Sequence, residues 1–339
     1  MISSQTHGQL ACLNWQTLSD DRAAHVRPNG EVRRAALIMT GKCNFACPYC
    51  QTLCEDRAPT RDKQETLDMV QGFIDQGLKE LRLSGGEPTM VSWLPDLVQH
   101  AHSQGVRVAV STNGYSSARI YQSLIEAGVV EFSISLDSLE PEEADRLAGG
   151  RPNVLSRVTS NIEFITDKGA KVYIGMTCCA SRAVPEGMKS LVSKVASLGA
   201  TDVKIMSIAQ EGGIVDTSWL SETLAEKFPF LAWRARNFKA GRDVRGLRED
   251  DCAKCALVLD DVTIAGDRHY PCNVYFREGG AAIGLVGGSM LADRAEWYEQ
   301  HNSQEDPICS RMCMDLLRTY NNRVSELNPT LGNKENRDE

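Results

Sequence analysis

The stretch "TGKCNFACPYCQTLC" (residues 40–54) holds the first residues whose types and spacing could do chemistry. Cys43, Cys47 and Cys50 follow the pattern C-x3-C-x2-C. Three thiolates on one short loop can hold three corners of an iron–sulfur cubane. A structural cluster or a closed zinc site normally takes four protein ligands, so three leave one metal position open to a substrate or cosubstrate. A zinc loop that recruits Cys54 is the alternative; otherwise Cys54 reads as a bystander thiol. A second group comprises Cys252, Cys255, Cys272, Cys309 and Cys313, in the segments "CAKC", "HYPC" and "CSRMC". Four of these suffice for another cluster, and a C-x2-C followed by two later thiols also fits structural zinc. Cys12, Cys178 and Cys179 stand apart, and the last two read as buried structural thiols.

Twelve cysteines in 339 residues mean different things in different compartments. The N-terminal stretch lacks a basic region followed by an apolar run, so a secretory signal is not expected. No apolar run approaches membrane-spanning length. Cytoplasmic residence follows as the expectation. There, clustered thiols point to metal or redox chemistry rather than a disulfide framework. Hydrophobic residues at 42% and charged residues at 24% suit a folded protein with a sizeable core. A net charge of −8 with no prominent Lys/Arg cluster argues against a nucleic-acid partner.

The elements that must position the first thiols begin near residue 34. Six β-rich runs (34–40, 79–85, 106–113, 129–137, 170–179 and 200–209) alternate with amphipathic helical segments, several of which end in Gly. Such alternation implies parallel strands with helices outside. Six strands suit an open, partial (β/α)6 TIM-like barrel. Cys43, Cys47 and Cys50 then sit on the loop at the C-terminal end of the first strand, where such folds place chemistry. "LRLSGGEP" ends the second strand, and alternation puts Arg82 and Ser84 on the inner face. Gly85 and Gly86 let backbone approach closely, and Glu87 offers a carboxylate to an ammonium. "STNG" and "SLDS" end the third and fourth strands. Ser111, Asn113 and Ser135 suit ribose hydroxyls, with turn capping as the plainer reading. Beyond the barrel, "LVLDDVTIAGDRHYPCN" reads as a hairpin with "AGDR" as its turn. The expected divisions are an N-terminal extension (1–33), the barrel (34–215), a helical connection (216–249), a small α+β iron–sulfur module with a β-hairpin (250–325) and a disordered tail (326–339).

"CNFACPYC" after a first strand resembles the signature of the radical SAM superfamily, and the resemblance spans roughly residues 34–210. It implies that Cys43, Cys47 and Cys50 hold a [4Fe–4S] cluster whose fourth iron binds S-adenosylmethionine. It also implies that the "GGE" segment meets the methionyl amine and that the backbone of Tyr49 meets adenine. Arg82 would then face the cosubstrate carboxylate, an acidic substrate group or a structural ion pair, and Arg182 could reach that carboxylate too. The second cysteine group resembles the auxiliary-cluster module, called twitch or SPASM-like, that follows many such barrels. Cys255, Cys272, Cys309 and Cys313 are the expected ligands of one auxiliary [4Fe–4S] cluster, with Cys252 able to replace one of them.

The implied activity is reductive cleavage of S-adenosylmethionine to a 5′-deoxyadenosyl radical, fed by an electron donor such as flavodoxin or ferredoxin. Only about forty residues precede the barrel, which leaves little room for a peptide-recognition domain. A small-molecule substrate is therefore expected: a sugar, aminocyclitol or nucleoside that is dehydrogenated, epimerised or decarboxylated, in natural-product biosynthesis. Maturation of a ribosomal peptide with a separate recognition protein is the alternative, and a non-catalytic iron–sulfur carrier or sensor is another. A molybdenum-cofactor cyclase would end in Gly-Gly, whereas this chain ends "ENRDE". Asp137, Glu211 and His269 are candidates to face the cavity as acid or base.

Overall fold

The computed structural model describes residues 19–50, 56–178, 185–207 and 213–331. Nine strands form one sheet: β1 (Arg34–Ile38), β2 (Glu80–Ser84), β3 (Arg107–Thr112), β4 (Glu131–Ser135), β5 (Lys171–Cys178), β6 (Asp202–Ser207), β7 (Asp261–Ala265), β8 (Arg268–Tyr270) and β9 (Gly284–Leu285). The described helices are α1 (Asp20–Ala24), α2 (Lys63–Asp75), α3 (Leu94–His102), α4 (Ala118–Ala127), α5 (Pro141–Leu147), α6 (Val154–Asp167), α7 (Pro185–Ser197), α8 (Glu222–Lys227), α9 (Pro229–Lys239), α10 (Asn273–Arg277), α11 (Met290–Gln300), α12 (Cys309–Met312) and α13 (Asp315–Leu327).

All six expected strands are present and pair in parallel in chain order, β1 through β6, as an open partial barrel. The local signals work as physics requires. Asp62 caps α2 by accepting from Gln64 N at 2.7 Å. Gly128 ends α4 at φ 112°, a left-handed conformation that glycine adopts without strain. Pro185 opens α7. Leu81 and Leu83 of β2 face the helices and are almost fully buried. Each contributes about 1.5–3 kcal/mol through burial.

The hairpin is also present, with β7 and β8 antiparallel. Its position was not legible. β7 pairs in parallel with β1, Arg34 opposite Asp261, so the hairpin extends the barrel sheet on the far side of β1. A second, smaller core joins Phe230, Trp233, Leu257, Tyr298 and Tyr320 beneath the second cysteine group. α13 runs on through Leu327, into the stretch expected to be tail.

Ion pairs close the N-terminal end of the strands. Arg34 lies 3.0 Å from Glu80 and 3.1 Å from Asp261. Arg107 bridges Glu80 at 3.2 Å and Glu131 at 2.8 Å. Arg22 forks onto Asp260 at 2.6 and 2.7 Å. With that end sealed by charge, the open volume lies toward the C-terminal ends.

Candidate functional site

A cavity of about 390 Å³ occupies the barrel and opens at the C-terminal ends of the strands. Small residues make the space: Ala36, Ser133 and Gly175 line its inner wall. Arg82 and Ser84 also line it, as strand alternation requires.

Cys43, Cys47 and Cys50 line the mouth of this cavity, with thiols that are exposed or half-buried and unpaired by disulfides. A turn closes the loop, Cys50 N donating to Cys47 O at 3.0 Å. Two other segments brace it. Ala46 N donates to Ala148 O at 3.2 Å, and Arg151 Nε donates to Asn44 O at 2.5 Å. A side chain at Gly149, which has φ 76°, would come within 2.7 Å of Ala46 Cβ. Burial pushes the Cys47 thiol up to about 12, and the neighbouring Cys50 and Cys43 add to it. Crowded thiols of this kind suit a cation that accepts them as thiolates.

The two glycines of "GGEP" serve this loop directly. Gly86 N donates to Thr40 O, and Glu87 N to Lys42 O, both at 2.8 Å. A Cβ on Gly86 would lie 2.1 Å from Lys42 O, and one on Gly85, at φ 146°, 2.6 Å from Thr40 O. The close approach that the sequence suggested is thus to the chain leaving β1, and both glycines also line the cavity.

Glu87 departs from expectation. It does not line the cavity and is fully buried. Its Oε1 accepts from Thr89 N (3.1 Å), Thr89 Oγ1 (2.6 Å) and Thr112 Oγ1 (2.7 Å), and its Oε2 from Asn113 N (2.7 Å). Burial pushes its pKa up while those donors pull it down. In this structure the carboxylate ties "GGEP" to "STNG" instead of meeting an ammonium. Asn113 is held from the other side as well, its Nδ2 donating to Asn44 Oδ1 at 2.7 Å.

Ser111, Asn113 and Ser135 all line the cavity, as does Tyr49. The Tyr49 hydroxyl donates to Asp137 Oδ2, and Asp137 Oδ1 accepts from Thr177 N at 2.6 Å. Asp137 therefore faces the cavity as proposed. His269 does not: it is a fully buried residue of β8 outside the cavity lining, with Arg294 3.2 Å from its Nδ1. Cys12, Cys54, Cys179, Arg182 and Glu211 lie outside the described residues, as does the side chain of Cys178.

All five cysteines of the second group line one small cavity of about 30 Å³. Cys255 accepts from Asn321 Nδ2 at 3.5 Å, and Cys272 caps α10 by accepting from Tyr275 N at 3.4 Å. Burial pushes Cys255 up to about 11 and Cys272 up to about 12. Cys309 and Cys313 are also raised, by burial first and then by repulsion from Cys255 and Cys272. Cys252 is raised by burial, and the charges that act on it are Asp251 and Lys254. Sequence reasoning missed His301, whose Nε2 lies 3.6 Å from Cys309 Sγ, and Asp306, which accepts from Cys309 N at 2.7 Å. Nothing local marks His301; stacking on Trp297, rings 3.8 Å apart, and the Lys254 ammonium donating to its carbonyl at 3.0 Å help to hold it there. Cys272 lines both cavities and links the two thiol groups.

Comparison with known proteins agrees with this geometry. Residues 37–179 match the family model described as the radical SAM superfamily. A GTP 3′,8-cyclase of Xanthomonas campestris pv. campestris is 33% identical over 168 residues, 46% of this chain and 48% of the relative. One from Tolumonas auensis is 34% identical over 140 residues, 39% and 40% of the two chains. The chain thus spans about half the length of the curated relatives it matches. Among solved structures, Streptococcus suis SuiB bound to precursor peptide SuiA superposes with a TM-score of 0.60 at 13% identity, covering 93% of this chain and 74% of that one. Native anSMEcpe with bound AdoMet gives 0.56 at 14% identity, covering 88% and 97%. At these identities the likeness is one of fold.

Proposed function

We propose that this radical SAM superfamily enzyme cleaves S-adenosylmethionine reductively and takes a hydrogen atom from a small polar metabolite. One observation carries the reading: the thiols of Cys43, Cys47 and Cys50 and the second-group Cys272 line a single cavity. Soft donors from both thiol groups in one cavity suit iron–sulfur chemistry.

The residues present fit two clusters. Cys43, Cys47 and Cys50 would hold the first and leave one coordination position open. When bound, that cluster supplies the electron that splits the cosubstrate and yields the 5′-deoxyadenosyl radical. Gly85, Gly86, Ser111, Asn113 and Ser135 offer cosubstrate contacts along the cavity wall, and Tyr49 is fixed beside them by Asp137. Cys255, Cys272, Cys309 and Cys313 are our assignment for an auxiliary cluster, because Cys255 and Cys272 both act on Cys309 and Cys313; Cys252 lines the same cavity, acts on Cys255 and could replace one of them. The chain's own part is to bind, orient and exclude water from the substrate. An electron donor of the flavodoxin or ferredoxin type is the implied partner.

The substrate range remains sugar, aminocyclitol or nucleoside. Relatives named GTP 3′,8-cyclase favour its nucleoside end. The test is iron and sulfide per chain after anaerobic reconstitution, with 5′-deoxyadenosine measured after reduction in the presence of S-adenosylmethionine. We expect about eight irons, falling to about four when Cys43, Cys47 and Cys50 are all replaced by Ala. Absence of 5′-deoxyadenosine from the parent protein would sink the reading.

A further inference from the structure

The second cysteine group is met by polar side chains that none of the ligand assignments uses. His301 Nε2 lies 3.6 Å from Cys309 Sγ. The protein itself fixes the ring in that position. It stacks on Trp297, with centroids 3.8 Å apart and planes 18° from parallel. Its backbone is pinned at both ends: His301 N donates to Trp297 O at 2.9 Å, and Lys254 Nζ donates to His301 O at 3.0 Å. A metal-bound thiolate carries no proton. The contact with Cys309 is then a hydrogen bond in which the proton sits on Nε2 and Sγ accepts it.

Ser303, two residues further on, is an independent sign. It is 5% exposed and lines the same cavity as the five thiols. Among the described residues its Oγ has no hydrogen-bond partner. A buried hydroxyl without a partner costs stability. An acceptor inside the cavity removes that cost, and thiolate or sulfide sulfur is the acceptor that five converging cysteines supply.

The rival role for His301 is direct ligation, since His301, Asp306 and Cys309 lie close enough together to share an ion. Two observations favour the donor role. Four thiols already complete the set for a cubane. Asp306 is engaged: its Oδ1 accepts from the amides of Ile308 and Cys309 at 2.8 and 2.7 Å, and its Oδ2 from the Tyr275 hydroxyl at 3.1 Å. Those bonds also offset its charge beside Cys309. Two other sulfurs already accept bonds, Cys255 from Asn321 Nδ2 and Cys272 from Tyr275 N. Each donor stabilises the more negative, reduced form of a thiolate-bound cluster and so raises its potential.

We propose that His301 acts through Cys309 as a tuning residue, donating to its sulfur and, together with Ser303, raising the reduction potential of the group held there. This rests on the reading above that the second cysteine group holds an iron–sulfur cluster. The stack on Trp297 keeps the donor in place, so the bond forms without ordering a free side chain.

Potentiometric titration followed by electron paramagnetic resonance tests this on the anaerobically reconstituted full chain. A variant with Cys43, Cys47 and Cys50 all replaced by Ala shows which signal belongs to the second group. His301→Phe keeps a ring on Trp297 and removes the donor. It should move the midpoint of that signal to a more negative potential at unchanged iron content. His301→Gln returns an N–H near the Nε2 position and should recover most of the shift. Ser303→Ala should also lower the midpoint, and an unmoved value there would strike Ser303 from the pair. An unmoved midpoint in His301→Phe would overturn the inference. So would loss of iron in that variant, or nitrogen hyperfine coupling of the size that direct imidazole ligation gives. Absence of iron from the variant lacking Cys43, Cys47 and Cys50 would remove the second cluster and this inference together. Reductive formation of 5′-deoxyadenosine by the parent reports separately on the radical chemistry. Its absence beside an intact, His301-dependent midpoint would remove the enzymatic reading and leave the tuning role standing.

Discussion

Replacing Glu87 by Gln separates a structural clamp from a cosubstrate ligand. The change keeps shape and removes the charge. Three donors converge on Oε1 and one, Asn113 N–H, on Oε2. The new amide nitrogen is least harmful at the Oε2 position, where it opposes the Asn113 N–H donor to donor. The lost bond to a charged acceptor costs about 1.5–3 kcal/mol. The three remaining bonds weaken as their acceptor becomes neutral, so the sum is about 2–4 kcal/mol. At roughly 1.4 °C per kcal/mol for a chain of 339 residues, Tm falls by about 3–6 °C. Thermal unfolding without cosubstrate measures this, with calorimetric affinity for S-adenosylmethionine beside it. If Glu87 instead received the cosubstrate's ammonium, Tm without cosubstrate would hold while that affinity fell. Such a result would refute the clamp.

Three other perturbations have signs fixed by the structure. Arg22→Met strands the Asp260 carboxylate, which is 3% exposed, beside the Tyr320 hydroxyl at 2.8 Å. It should cost about 3–5 kcal/mol by urea unfolding, and a loss under 1 kcal/mol would contradict the buried network. Gly86→Ala puts a methyl 2.1 Å from Lys42 O and displaces the first thiol loop. Iron per chain should fall by about half after reconstitution, and full iron would show that the loop tolerates the shift. His269 is held between Arg294 and Asp293, and burial pushes it down to about 4. The unfolded chain takes up that proton first as pH falls, so folded stability drops between about pH 6.5 and 4. His269→Asn should flatten the urea midpoint over that window, and an unchanged slope would count against a neutral buried imidazole.

The legible parts of this molecule share one property: their signals are local. The period-two alternation in "LRLSGG" placed Arg82 and Ser84 inward because a strand allows no other arrangement. The C-x3-C-x2-C spacing put three thiols on one loop because six intervening residues, or fewer, cannot separate them far. What stayed hidden depends on distant partners. Arg22 and Asp260 are 238 positions apart, and Arg277 and Gly85 are 192 apart. Lys204 sits in a strand whose own sequence does not say which neighbouring cations share its cavity. The partners of Glu87 stayed hidden for the same reason. A carboxylate after two glycines suggests a ligand, and only the fold shows Thr112 and Asn113 arriving to occupy it.

The connection between the two thiol groups follows from one short helix. α10 spans five residues, begins at the Cys272 cap and ends at Arg277. Its first end presents a thiol to the second cysteine group, and its last side chain reaches Gly85 at the mouth of the barrel. Arg57 fixes the helix to the barrel side by donating to Phe276 O at 2.6 Å. β7 supplies the second anchor, because its pairing with β1 sets the hairpin in register with the strand that launches the first thiol loop. The separation of the two groups is therefore held by a strand pair and a helix end. Rigid spacing of that kind would serve the two-cluster arrangement proposed above.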